Sequence, residues 1–587
     1  MYVGTQIVAR TATPIIATVS ALPRNDLLAA QFDLLADLME LEGADGFRIG
    51  AYRKASARIR DTPSSVAELA LAGKAKQLQD IGKTIEAKIV EVVEDGEIHA
   101  LTKRKAEVPA ELASFLRLPG MGPKTARRLW QELGISTLAA LKAAADAGQL
   151  RGHAGIGPGT EEKIAAALAK PKAAEGPRRS LLGNQLPKLQ AVVETLREHP
   201  ASVEVSLAGS ARRMRETVRD LDIIATATDP AALIEHFCAL PLVVDVAARG
   251  TTKATVVAQD GSRYDLRVVP PESYGNLLQH FTGLKNHNVA LREDAVRRGF
   301  SVSEYSVTDV ESGEEHRFER EEDVYTFLGY EWIPPELRED GGELAAARKG
   351  ELPQLVELKD LRGDLHTHTT WSDGKDALET MVATAIDRGY AYYAICDHSH
   401  RLRGDLLKRQ SEAIDALNEE VAPFRILKGV EANIKVDGTV DVADDDLATL
   451  DWVVASMHAR FDDNPTERVL AAMENPYVDV IGHLTGRKIG KRQPSAMDVG
   501  RVIEKALETG TFLEINSQPD RLDLSDVHAR AAREAGLKLV IDSDGHQVAA
   551  LGYVELGVGQ ARRAWLTKDD VVNTRTWNQI QKIRKKR

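Results

Sequence analysis

Asp220-Leu221-Asp222 sets two carboxylates on one face of a strand, because side chains alternate faces along extended backbone while Leu221 turns to a core. Side by side, two carboxylates repel each other unless a cation sits between them, so the pair reads as a divalent-metal site. Upstream, Val203, Val205 and Leu207 alternate with Glu204 and Ser206, which predicts a strand ending at a Gly209-Ser210 turn. Small residues in a turn let backbone N–H groups approach a phosphate, and Arg212 and Arg213 follow as charged forks. Phosphate donors beside paired carboxylates suggest phosphoryl or nucleotidyl transfer. A solvated acidic strand end is the plainer alternative for this stretch alone.

A chain of 587 residues exceeds one core, and about three to five domains are expected. The net charge of −12 argues against general coating of nucleic acid but leaves room for local basic surfaces. Cys238 and Cys396 stand far apart, which excludes a disulfide framework and predicts a cytoplasmic protein. No apolar run reaches the ~18 residues of a membrane span, and residues 1–24 read as a flexible leader.

Leu28, Phe32, Leu35 and Met39 recur at helical spacing, and Phe47 to Lys54 mixes aromatics with cations, as suits stacked bases and held phosphates. Core aromatics on a solvated helix would read the same way. Three glycine turns follow, at Ile81-Gly82-Lys83, Pro119-Gly120-Met121-Gly122-Pro123-Lys124 and Ala154-Gly155-Ile156-Gly157. Each precedes a helix, and a bare helix N-terminus offers N–H groups to a phosphate without reading sequence. The turns resemble helix-hairpin-helix motifs. After a polar linker at 170–180, Arg263 to Val269 alternates as a strand that lets Asp265 face Asp220 and Asp222. Three carboxylates on neighbouring strands suffice for a two-metal site.

Gly209-Ser210, Asp220-x-Asp222, Asp265, Phe281-Thr282-Gly283 and Asn288 through Arg292 together resemble a family X DNA polymerase over roughly residues 25–340. The resemblance implies that Asp220, Asp222 and Asp265 hold Mg or Mn, and that Ser210 and Arg213 hold the triphosphate of the incoming nucleotide. It implies further that Phe281 and Gly283 line the sugar, and that Asn288 and Arg292 touch the nascent pair and template. His280 stands where a tyrosine is often found, and Met214 where some relatives have glycine. Lys88 matches a lyase lysine, which would form a Schiff base with a deoxyribose aldehyde; a surface lysine is the alternative. Arg48, Tyr52 and Lys76 match a 5′-phosphate pocket. Backbone contacts to DNA are expected at Gly82, Gly120, Gly122, Lys124, Gly155 and Gly157.

Beyond a second polar stretch, His366-x-His368 puts two imidazoles on one strand face. Asp373, His398, Glu431, His458, His483, Asp544 and His546 then follow near the ends of segments that read as buried strands. Helical stretches at 376–388 and 497–509 alternate with them, which predicts a β/α barrel with ligands at the strand ends. Nine such ligands suffice for two or three Mn, Zn or Fe ions. The pattern resembles the polymerase-and-histidinol-phosphatase (PHP) metal hydrolases. Asp397, His400 and His528 read as supporting or surface groups.

The expected fold is therefore multidomain α and α/β: helical helix-hairpin-helix domains, a nucleotidyltransferase palm with thumb, and a distorted β/α barrel. The boundaries are a helical DNA-binding domain at 25–95, hairpin fingers at 96–170, a palm at 171–280, a thumb at 281–338, a linker at 339–361 and a metal hydrolase at 362–587. The expected activity is gap filling on gapped or nicked double-stranded DNA with deoxynucleoside triphosphates, by a monomer. The barrel would act as a 3′→5′ exonuclease or another end-processing phosphoesterase. The alternatives are a DNA-binding scaffold with catalysis only in the barrel, a structural role for the barrel, and a small-molecule phosphatase.

Overall fold

A computed structural model describes residues 22–62, 64–118, 120–153, 156–169 and 179–585. The leader up to residue 21, Gly155 and linker residues 170–178 lie outside the described residues. The chain divides into two compact units, one up to Ala174 with Ala258–Gly261, the other Glu175–Val257 with Ser262–Arg587.

The first unit is helical. Helix Asn25–Glu42 buries Leu28, Phe32, Leu35 and Met39, the spacing that its sequence shows. Helix Gly46–Asp61 packs on it through Ile49, Tyr52, Ala55 and Ile59, while Phe47 on the opposite face is 90% exposed. Gly82 precedes helix Lys83–Asp95, Gly122 precedes Pro123–Leu133 and Gly157 precedes Pro158–Ala169. At Gly82 and Gly122 no side chain caps the helix, so its first N–H groups have no side-chain acceptor from the cap residue.

The second unit begins with a five-stranded mixed sheet. Its strands are β1 (Ser202–Leu207), β2 (Asp220–Ala227), β3 (Val243–Arg249), β4 (Lys253–Ala258) and β5 (Arg263–Val269), in the order β1-β2-β5-β4-β3. Val205 faces the core, whereas Val203 is 58% exposed, so the apolar alternation of β1 fails at its first turn of pleat. Helices Tyr274–Thr282 and Lys285–Arg297 and a small sheet of Phe300–Val302, Val307–Asp309 and Glu315–His316 follow.

Seven parallel strands close the chain: β6 (Gly363–Thr367), β7 (Tyr392–Ile395), β8 (Arg425–Asn433), β9 (Trp452–Ser456), β10 (Val480–Ile481), β11 (Phe512–Asn516) and β12 (Leu539–Asp542). They pair in sequence order. A bridge between Thr367 and Gly545 nearly closes the ring, with the His368 N–H donating to Gly545 O at 2.9 Å. Most of these strands are buried along their whole length, as parallel strands covered on both faces must be. No helix among the described residues is long and apolar enough to cross a membrane.

Two expectations need correction. Residues 339–361, expected as a linker, are packed: helix Glu343–Lys349 buries Glu343 and Ala347, and Leu355 and Val356 are buried beyond it. Glu343 Oε1 lies 2.6 Å from His287 Nδ1. The stretch reads as a polar linker because its partners are distant in sequence. The basic run from Lys582 to Arg587, whose composition alone suits a solvated tail, is not wholly solvated either, since Lys585 Nζ donates to the carbonyls of Met473 and Asn475 at 2.6 and 3.1 Å.

A buried ion cluster joins these elements. Arg338, fully buried, donates to Glu321 Oε1 at 2.6 Å, and Arg212 reaches both Glu321 oxygens at 2.9 Å. Burial disfavours the Glu321 carboxylate, but the two guanidinium groups outweigh it and hold the carboxyl well below its usual range. A carboxyl depressed in the folded state stabilises above its unfolded pKa, and that contribution is lost as pH falls. Glu321→Gln should therefore cost roughly 3–5 kcal/mol at pH 7 in urea unfolding, and the penalty should shrink as the pH is lowered below about 4.

Candidate active sites

In the palm sheet, β2 runs parallel to β5 in a register that pairs Asp222 with Asp265 and Asp220 with Arg263. Leu221, Tyr264 and Leu266 point to the core, which leaves the three aspartates on the opposite face. Gly209 stands at φ +60, and a Cβ there would lie 2.1 Å from Asp222 Oδ2, so both backbone and space require glycine. Burial, then Asp265, then Asp220 push the Asp222 carboxyl up to about 7. Such mutual repulsion is what a bound cation relieves. Thr255 Oγ1 donates to Asp265 Oδ1, and Arg219 Nε to Asp220 Oδ2 at 3.0 Å.

The residues expected to hold a nucleotide lie only partly as the sequence suggests. Ser210 is half-buried in the single helical turn Gly209–Arg212, where the sequence reads as a simple turn. Arg213, expected at the triphosphate, is buried and turned away; it donates to Glu339 Oε1 at 2.9 Å and to the Thr282 carbonyl at 2.5 Å. The reason is the acidic Glu339, which the expected linker hides from a sequence reading. Arg267 stacks over the Phe281 ring at 4.3 Å, and Gly283 closes the Tyr274–Thr282 helix. Asn288 donates to the His280 carbonyl at 2.7 Å, and Arg292 lies 2.9 Å from His280 Nδ1. Met214 adopts φ +52, the left-handed conformation that glycine takes without strain.

In the helical unit, Arg48 and Lys76 are exposed and Lys88 is half-buried on its helix. Tyr52, expected at a phosphate pocket, instead packs on Phe32 with ring centroids 6.2 Å apart, because it continues the buried stripe of its helix. Phe47, Lys54, Ile81 and Gly82 line a cavity of about 560 Å³. Gly120 sits at φ +72 in the second turn, and Lys124 beyond it is exposed.

At the barrel mouth the nine expected ligands converge. Three groups have ligand atoms mutually within 4.8 Å: His368, Asp373, His398 and His546; His366, His368 and Asp544; and His398, Glu431 and His458. His483 Nε2 lies 3.1 Å from Glu431 Oε1. His366 Nε2, both His368 ring nitrogens and His483 Nδ1 are buried without hydrogen bonds. Buried polar atoms are ordinarily paired, so rings with such unpartnered nitrogens fit as ligands of divalent cations, and shared ligands suit ions set close together. Burial drives the His368 imidazole down to about 4, which keeps its ring neutral. His483 and Asp544 stand at φ +26 and +51, backbone strain of the kind concentrated at functional sites.

A surrounding shell orients these ligands. Glu514 Oε1 lies 2.6 Å from His366 Nδ1, Asn433 Oδ1 lies 2.6 Å from His458 Nδ1, and Asn516 donates to Asp544 at 3.0 Å. Asp397 accepts from the Thr369 N–H, the Thr369 and Ser372 hydroxyls and Gln410. His400 is exposed with its ring 5.2 Å from that of His398, and His528 is half-buried. Sequence reasoning missed Glu514, Asn433 and Asn516. Glu514 and Asn516 could have been found, since Phe512-Leu513-Glu514-Ile515-Asn516 puts two polar groups on one face of a buried strand.

Four family models match the chain: a helix-hairpin-helix domain over residues 23–98, a tandem of such hairpins over 112–170, the DNA polymerase beta thumb over 277–339 and the PHP domain over 364–518. DNA polymerase/3′-5′ exonuclease PolX of Bacillus subtilis is 39% identical over 567 residues, covering 94% of this chain and 98% of the relative. The chain belongs to the family X DNA polymerases. Probable phosphatases resemble about a third of the chain. One from Thermoanaerobacter is 32% identical over 225 residues, 36% of this chain and 89% of its own length. Another from Acetivibrio thermocellus is 30% identical over 195 residues, 31% of this chain and 78% of its own. Family X thus accounts for the sheet, hairpins and thumb, and the PHP likeness for the barrel. Divalent metals follow for both sites.

Glu514→Gln keeps the shape beside His366 but removes the charge that orients its ring. Metal affinity of the barrel is expected to fall ~10–100-fold, read as ions retained per chain after dialysis against a weak chelator.

Proposed function

We propose that this chain is a repair DNA polymerase that fills short gaps by nucleotidyl transfer and carries a 3′→5′ exonuclease in its PHP domain. The observation that carries the polymerase half is the Asp222–Asp265 register, with Asp220 on the same strand face and Gly209 packed against Asp222. The observation that carries the nuclease half is the convergence of nine ligands at the barrel mouth.

Asp220, Asp222 and Asp265 would hold Mg or Mn, and the barrel ligands two or three Mn, Zn or Fe ions. Bound there, such ions supply charge neutralisation for attacking and leaving oxygens, and a water ionised near neutral pH in the barrel. The chain's own residues do the rest. Thr255 fixes the Asp265 carboxylate, and Gly209 admits Asp222 to the phosphate side of the sheet. Ser210 presents a hydroxyl at the start of the same turn. The gapped or nicked duplex is held along its backbone by the turns at Gly82, Gly120 to Lys124 and Gly157. Phe281 and Gly283 flank the sugar, and Asn288 and Arg292 the nascent pair. We assign the protein to the cytoplasm, in keeping with its two free cysteines, and treat it as a monomer.

In the rival reading, the palm is a scaffold and only the barrel is catalytic. The intact aspartate triad speaks against it. Asp220→Ala with Asp222→Ala should abolish extension on gapped DNA while leaving exonuclease activity near its original rate. His366→Ala with His368→Ala should do the reverse. Normal extension by the first double mutant would overturn the polymerase assignment.

Lys88 is proposed as a lyase nucleophile, since it lies six residues past Gly82 on the helix that the first hairpin opens. Borohydride should trap a covalent adduct with an incised abasic site. The adduct should vanish in Lys88→Ala, and its persistence there would exclude this lysine.

A further inference from the structure

Residues 212–216 join Ser210 to the Asp220–Asp222 strand, and each is held by a group from beyond the palm sheet. Arg212 is bound by Glu321 and Thr282, and Arg213 and Arg215 share Glu339, at 2.9 Å to Oε1 and 3.1 Å to Oε2. Met214, at φ +52, packs on Gly559, where a Cβ would lie 2.9 Å from the Met214 Cβ and 2.6 Å from its Cε. Glu216 pairs with Arg487 at 3.2 Å. Gly559 and Arg487 both belong to the carboxy-terminal barrel portion of the chain.

Arg563 ends the same barrel helix, Val554–Arg563, and its side chain is 2% exposed. It donates to the Arg213 main-chain carbonyl at 3.1 Å, to Glu339 Oε1 at 3.0 Å and to Asp526 Oδ2 at 2.5 Å. A loop with three arginines and a left-handed methionine does not hold this shape by local preference. Like charges repel, and the strained residue persists because its surroundings over-determine it. The loop in turn holds the Gly209–Ser210 turn, the Arg213 and Arg215 N–H groups donating to the Gly209 and Ser210 carbonyls at 3.3 and 3.0 Å, and Gly209 packs against Asp222. A displacement of about 1 Å at such a site costs on the order of 10²-fold in rate.

We propose that Arg563 is a positioning residue for nucleotide addition: an arginine of the barrel fixes the palm loop through the Arg213 carbonyl and Glu339, so the polymerase site is incomplete without the nuclease domain. This rests on the polymerase reading of the palm.

The test uses the full chain, with steady-state gap filling and 3′→5′ digestion measured on the same preparations. Arg563→Ala should raise KM for the incoming deoxynucleoside triphosphate at least 10-fold, with exonuclease rates within twofold of the parent. Arg563→Lys should recover part of the loss. Gly559→Ala changes no charge and should raise the same KM by pushing Met214, so it decides the matter should Arg563→Ala fail to fold. The double substitution Arg563→Ala with Glu339→Ala should cost less than the product of the singles. An unchanged KM in both Arg563→Ala and Gly559→Ala, with the parent filling gaps, overturns the proposal. So does an equal fall of both activities at constant KM, the mark of a purely structural role. A parent that fills no gaps overturns the polymerase reading, and the proposal with it.

Discussion

The carboxylate of Glu431 lies within 3.8 Å of five histidines, His366, His368, His398, His458 and His483. Burial at 1% exposure works against its charge, and the imidazoles outweigh that and hold the carboxyl well below its usual range. The five rings come from the ends of β6, β7, β9 and β10, and the strand order brings them around Glu431 of β8. The reciprocal effect acts on His366, where Glu514, Glu431 and Asp544 overcome burial and raise the imidazole. Charges that would be costly singly are tolerable only as a set. The barrel mouth is therefore a preformed cation site whose geometry and electrostatics cannot be separated.

The palm centre follows the opposite logic. Among the described residues its three aspartates have one cationic neighbour at hydrogen-bond distance, Arg219 on Asp220, and Asp222 is pushed up by burial and then by Asp265 and Asp220. Burial and the neighbouring acids push on Asp222 harder than Arg267 and Arg213 offset. Guanidinium groups that stand close in sequence, Arg212 and Arg213, are spent instead on Glu321 and Glu339. They build the frame rather than the phosphate site. The two centres thus differ: the barrel's Glu431 is met by histidines of the chain, whereas Asp222 in the palm is raised by its fellow acids.

Short-range pattern made much of this legible. Period-two alternation placed Asp220 beside Asp222 and His366 beside His368; the aspartates share one strand, and the two imidazoles meet Asp544 with ligand atoms within 4.8 Å of one another. Apolar runs bounded by ligands marked the barrel strands, and glycine turns marked the hairpins. What escaped depends on contacts between residues far apart in sequence. Arg213 looks like a phosphate ligand until Glu339, 126 residues away, takes it. Residues 339–361 look solvated until His287 and the barrel cover them. Tyr52 looks like a phosphate contact among cations, yet its position on the helix puts it with Ile49 and Ile59 in the core. Polar composition cannot tell a buried ion pair from a wet loop, because both use the same residues.

Shared packing also explains why the nuclease and polymerase parts form one unit rather than two beads on a string. Gly183 of the palm meets Pro519 and Leu556 so closely that a Cβ would come within 2.7 Å of each. Arg562 pairs with Glu336, and Gln190 donates to Glu555 at 3.3 Å. Helix Val554–Arg563 therefore has one face in the barrel core, through Val554, Val558 and Ala561, and another against palm and thumb. A helix committed on both faces cannot shift for one site without moving the other. Its glycines at 557 and 559 make that close approach possible, admitting Ser517 on the barrel side and Met214 on the palm side. The strain at Met214 and the burial of Arg563 are thus consequences of a single packing choice, and that choice ties the loop beside the polymerase carboxylates to the scaffold of the metal-binding barrel.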